Sequence, residues 1–202
     1  MRSRGIAEIP KIERQRTFAR TRLLWISNPR STRPLAGYAF GVEAVTELIG
    51  SLEDVRRFDL VYLASSGRKI DRTPRPKIPT TFESEACAGL ILFAWTRTTS
   101  QIEFEDELYI LDCANRLIET FSDAIPIIDK GTTHHKIARL ATALAARTFS
   151  EENGRLIVRT CHVDYIVKWL TRIYSETECG YDRFSKANSV LNTIDDPNRI
   201  KT

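Results

Sequence analysis

The sequence predicts a mixed fold, a short α/β portion followed by an all-α bundle. Three observations carry this reading. The first 64 residues hold apolar runs of strand length, Leu23-Leu-Trp-Ile26 and Phe58-Asp-Leu-Val-Tyr-Leu-Ala64. Residues 66–80 then mix Pro74, Pro76 and Pro79 with charges and exclude regular structure. Beyond them, apolar residues recur every three to four positions, the spacing of a buried helix face. The resulting parsing is an α/β portion over 1–65, a linker over 66–80, a helical domain over 81–175 and a loosely attached polar tail over 176–202.

Each element follows from local pattern. Gly5-Ile-Ala-Glu-Ile9 alternates, 10–15 suits a turn, and Arg16 to Ser27 alternates again before becoming apolar, which predicts a β-hairpin whose second arm continues into a buried strand. Val42, Val45, Leu48 and Ile49 keep helical spacing, with Gly50 as the stop. Ser51-Leu-Glu-Asp54 resembles a capping box that opens a short helical turn, and Phe58 to Ala64 is the second buried strand. Four helices follow, over 83–96, 105–122, 134–149 and 160–174. Ile137, Leu140, Ala141 and Leu144 mark the buried face of one, and Val163, Ile166, Val167 and Leu170 that of another. Arg155-Leu-Ile-Val-Arg159 predicts a brief extended segment before Thr160, a suitable N-cap. Trp25, Trp95 and Trp169 fall within apolar stripes and are expected in the core.

The formal charge of +4 is uneven: residues 1–35 carry a net +7 and the remainder −3. Such a basic segment suits phosphate, of nucleotide or nucleic acid. No apolar run approaches the length of a membrane span and no signal-type core follows Met1, so a cytoplasmic protein without membrane contact is expected. Cys87, Cys113, Cys161 and Cys179 lack close-paired metal spacing, and no zinc site is expected; Cys87 and Cys113 lie in helical patterns and read as reduced core residues.

Two absences bound the chemistry. There is no Gly-x-x-x-x-Gly-Lys-Ser/Thr loop and no apolar strand ending in Asp-Glu, so nothing in these 202 residues would cradle phosphates or hold magnesium. The chain is not expected to hydrolyse ATP alone.

The order of three segments nonetheless resembles the C-terminal half of an AAA+ ATPase of the minichromosome maintenance (MCM) helicase group, over roughly residues 4 to 175. They are Ala19-Arg-Thr-Arg-Leu-Leu-Trp-Ile-Ser-Asn-Pro-Arg30, Arg57-Phe-Asp-Leu60 and His135-Lys-Ile-Ala-Arg-Leu-Ala-Thr-Ala-Leu-Ala-Ala-Arg147. The resemblance implies a partial AAA+ core, with a hairpin and two parallel strands, followed by a helical lid. It implies Asn28 as sensor 1, Arg57 as an arginine finger acting on the neighbouring subunit, and Arg139 as the sensor 2 residue facing the chain's own nucleotide. It also implies ATP and Mg2+ as ligands in a site completed by an absent N-terminal half, and a homo-oligomeric ring acting on DNA. Met1 would then be an internal start or a truncation. Lys11, Arg14 and Arg16 would contact DNA phosphates from a pre-sensor 1 hairpin.

The residue types suit these roles. Asn can hold a water or phosphate oxygen without adding charge, and the planar Arg fork matches phosphate. The chain departs from the family where an arginine is usual, at Thr132, Thr133, His134 and His135, so His134 or Lys136 could stand in for Arg139. Structural roles compete with each: Asn28 starting a turn before Pro29, Arg57 paired with Asp54 or Asp59, and the two histidines forming an exposed helix start. A reading from a different class is a non-catalytic DNA-binding or regulatory module, with a basic hairpin for nucleic acid and a helical bundle for a partner.

Overall fold

The alternation at the start of the chain becomes an antiparallel hairpin, β1 (Ile6–Pro10) and β2 (Arg14–Phe18), with Ile6 opposite Phe18 and Pro10 opposite Arg14. The computed structural model describes residues 6–10, 14–18, 23–28, 33–64 and 82–194. Lys11, the 66–80 linker and the end of the tail lie outside them, as do the side chains of Arg14 and Arg16.

The two expected parallel strands are not formed. Residues 23–28 and 58–64 are extended or irregular, and no strand among the described residues pairs with either. A parallel strand exists only by hydrogen bonding to neighbours in a covered sheet, and an apolar run cannot supply those neighbours itself. Leu24 and Ile26 are accordingly 84% and 86% exposed. Segment 58–64 instead lies irregularly against the helices and buries Leu63.

Between these segments the local signals act as read. A 3-10 turn (Gly41–Ala44) leads into α1 (Val45–Ile49), which Gly50 ends at φ 120°. Ser51 Oγ accepts the Asp54 N–H at 3.2 Å and opens α2 (Leu52–Arg56). Val42, Val45 and Val55 are fully buried and belong to the same core as the later helices. Gly41 is essential to that junction: a Cβ there would fall 1.8 Å from the Glu178 carbonyl oxygen. The Val42 N–H donates to the Cys179 carbonyl at 2.9 Å beside it.

The helical portion follows the apolar periodicity closely. It comprises α3 (Ser84–Thr96), α4 (Glu107–Thr120), α5 (Thr133–Arg147) and α6 (Thr160–Ser175). Asp106 Oδ1 caps α4 by accepting the Tyr109 N–H at 2.9 Å. A small sheet joins the helices: β3 (Ile102–Phe104) lies parallel to β5 (Arg155–Val158), which pairs antiparallel with β4 (Glu151–Glu152). Phe149, just past α5, holds φ 52° and sets its ring 4.7 Å from that of Phe93 on α3.

Several core expectations are corrected. The chain after Ser175 is not a loose tail through its whole length, because α7 (Tyr181–Ile194) docks with Tyr181 fully buried against Phe121 and Tyr174. Cys113 is buried but Cys87 is exposed, since α3 turns no residue fully inward. For the same reason Trp95 is 72% exposed. Trp169 is half-buried, and Trp25 stays 40% exposed, edge-on to Phe58.

Candidate functional site

The motif residues that the structure brings together lie where segment 57–60 meets the first turns of α5. Two Asx-type devices fix this meeting point. In the Asp129-Lys-Gly-Thr-Thr133 approach to α5, buried Asp129 accepts the Gly131 N–H at 2.8 Å, the Thr132 N–H at 3.0 Å and the Thr132 hydroxyl. Thr133 Oγ1 in turn accepts the Asp129 N–H at 2.9 Å. The carboxylate therefore sits at a helix start, where free N–H groups and the helix dipole favour negative charge.

Lys136 completes this centre from one turn along α5. Its Nζ is buried and lies 2.5 Å from the Ile127 carbonyl oxygen, to which it donates, and 3.7 Å from Asp129. Burial pushes the ammonium down to about 8, and Asp129 only partly offsets this. Burial also works to raise the Asp129 carboxyl, but bonds from Thr132 and Gly131 and the Lys136 charge outweigh it and hold it below the usual range. Arg56 approaches from α2, its Nε 4.0 Å from Asp129 Oδ1 and its Nη1 3.0 Å from Glu53.

Arg139 lies on the exposed side of the same helix. Its Nε donates to Asp59 Oδ1 at 2.8 Å, and its Nη2 contacts the same oxygen. The Arg57-Phe-Asp segment is thereby tied to α5 through its own aspartate. Arg57 is exposed and sits 3.6 Å from Asp54, one of the two partners its structural reading names. Asn28 is exposed, and its carbonyl accepts the Ser27 hydroxyl at 3.2 Å. A Trp25–Phe58 edge contact, with ring centroids 6.3 Å apart, links its segment to the motif.

The structure thus joins Asp59 to Arg139, both close enough for their charges to act on Lys136, while Arg57 pairs with Asp54. It gives Lys136, one of the alternative sensor residues, a different task. Lys136 is committed to Asp129 and the carbonyls before α5, while the His134 and His135 rings lie 3.9 Å apart. Burial, then the neighbouring His135, lowers the His134 pKa. Among the described residues no cluster of His, Cys, Asp or Glu could hold a metal ion. No helix among them is long and apolar enough to cross a membrane.

Sequence reading missed Asp129, the hub of this region. Its signal was an Asp followed by Gly and two threonines directly before a helical pattern, an arrangement suited to an Asx turn. Chemically the region is a junction in which Arg56 and Lys136 face Asp129 and Arg139 faces Asp59, an arrangement suited to orienting one segment against another. The chain matches no protein family, no curated protein and no solved structure.

Proposed function

We propose that the chain is the lid-bearing portion of an MCM-like, ATP-dependent DNA helicase or translocase, inactive in hydrolysis until a phosphate-binding half completes it. In this reading Asn28 and Arg139 face the chain's own nucleotide, Arg57 faces the neighbour's, and the hairpin with Lys11, Arg14 and Arg16 meets DNA. ATP and Mg2+ bind where the two halves meet, within a ring of like subunits.

One observation carries the reading. Leu23 to Ile26 are four consecutive apolar residues that form neither helix nor strand, and Leu23, Leu24 and Ile26 are each more than half exposed. Such a run is unfavourable in water and suits a central strand whose sheet is supplied by another segment. The tie between Asp59 and Arg139 further supports a lid held against the finger motif.

The test is to sequence the source DNA upstream of the Met1 codon and translate every frame. A phosphate-loop lysine and an apolar strand ending in Asp-Glu, in any frame, are expected; mixing that product with this chain should then give DNA-stimulated ATP turnover. Absence of both sinks the helicase reading.

A second reading rests on the carboxylates already facing Arg57 and Arg139. With both arginines paired inside the chain, a non-catalytic DNA-binding or regulatory module needs no further partner for them. DNA affinity indifferent to ATP in the completed mixture would favour it.

A further inference from the structure

Helix α3 carries two apolar stripes on opposite sides, and only one has a partner among the described residues. Leu90, Phe93 and Ala94 point inward, where Phe93 meets Phe149 and the helix packs on α5. At 100° per residue, Ala88, Ile91, Leu92 and Trp95 fall on the far side. Ile91 is 54% exposed, Leu92 63% and Trp95 72%. A helix apolar around most of its circumference normally has both sides covered.

We infer that this outer stripe is a self-complementary surface on which a second copy of the chain docks, its α3 antiparallel to the first. Size order along the stripe sets the direction. Its N-terminal end is small, with Ser84 and Ala88, and its C-terminal end is large, with Leu92 and Trp95. A parallel pair would set indole against indole and leave a gap between the two Ala88 methyls. The antiparallel pair, with its two-fold axis between Ile91 and Leu92, lays the partner's Trp95 over Ala88 and Ile91 beside its own copy. Such an isologous contact closes at two copies.

Area and charge agree with this occupant. The exposed stripe of Ala88, Ile91, Leu92 and Trp95 presents on the order of 500 Å² of surface per copy. Two copies bury about 1,000 Å², the lower bound of a specific interface, so the dimer is weak and concentration-dependent. The stripe itself carries no Lys, Arg or Asp, and its rim holds only Glu85, which disfavours nucleic acid as the occupant. This inference is independent of the helicase reading, which concerns residues 23–28 and the α5 junction.

The experiment is sedimentation velocity of the full chain from about 1 to about 100 μM, a range that spans weak transient association. Wild type should pass from monomer to dimer, and Trp95→Ala should shift the midpoint at least about tenfold, as expected for an aromatic anchor. Geometry is tested separately by disulfide capture in a Cys87→Ser, Cys161→Ser background. Ile91→Cys should form an interchain disulfide because its copy lies beside it, whereas Ser84→Cys should not, because its copy lies about 22 Å along the axis. A wild type that stays monomeric throughout, an unshifted Trp95→Ala midpoint, or capture at Ser84→Cys in place of Ile91→Cys overturns the inference. Circular dichroism of each variant confirms that the helices persist.

Discussion

Lys136 is the residue whose chemistry is most altered by the fold, and it makes stability depend on pH in an unusual direction. Its folded-state value of about 8 lies below the 10.5 of an unconstrained lysine. Between these values the unfolded chain holds the proton and the folded chain has released it, so stability rises with pH across that window. From pH 8 to 9 the gain should be about 1 kcal/mol, measured by denaturant titration, and Lys136→Met should abolish the slope. Above pH 9 the buried Cys179 thiol, pushed up to about 12 by burial, opposes the trend, because its unfolded form ionises first. Arg57 gives the residue-scale test of function. The helicase proposal predicts that in the completed assembly Arg57→Ala loses about 10³-fold or more in ATP turnover while nucleotide binding stays near wild type, since in that proposal only the transition state gains from the charge. An equal loss of both would assign Arg57 to its ion pair with Asp54, 3.6 Å away. Of the candidate residues, the sequence made the types legible, and for Arg57 its partner Asp54 as well, but not the partner of Arg139. Nothing in the spacing of Asp59 and Arg139, eighty positions apart, announces that one carboxylate oxygen serves Arg139, and Asp129 was passed over because a single carboxylate in a loop carries no period.

Among the elements, those with a period were readable and those without one were not. Ile137, Ala141 and Ala145 line one face of α5 and are fully buried, as the 3.6-residue repeat requires. By contrast β3 and β4 span three and two residues, too short to show alternation, and they exist because β5 lies between them. Helix α7 was concealed because its sequence, Tyr181-Asp-Arg-Phe-Ser-Lys-Ala-Asn, interrupts its apolar positions with polar ones. Its anchorage is concentrated in Tyr181, whose single hydroxyl proton is shared between the carbonyl oxygens of Ser122 at 2.5 Å and Ile125 at 2.6 Å. Burial raises the phenol well above its ordinary value. Tyr181→Phe keeps the ring contacts but leaves those carbonyls without this donor. It should cost about 1–3 kcal/mol by chemical denaturation and increase hydrogen exchange across α7 before any other helix. Uniform loss of protection would mean that α7 unfolds only with the whole core. The apolar run at Leu23–Ile26 teaches the converse lesson: strand propensity was legible there, yet pairing depends on a neighbour that no local pattern encodes.

At the scale of the molecule, the α-rich second half was legible as a bundle, while its union with the first half was not. The proline-rich interval from 66 to 80 suggested separable units, but Val42, Val45 and Val55 share a core with α4 to α7. Sequence distance hid this, because contacts between residues more than a hundred positions apart leave no trace in a local window. The seam at Gly41 and Cys179 shows how close that union is, with backbone meeting backbone and no space for a single methyl group. A chain severed between residues 65 and 81 should consequently remain one particle. With a protease site inserted there, both fragments should elute together on a sizing column in buffer and part only in denaturant; separation in buffer would mean that the covalent link alone holds them. The peptide connecting the halves is then a convenience of synthesis, raising their local concentration, and the two could be encoded, expressed and recombined as independent polypeptides.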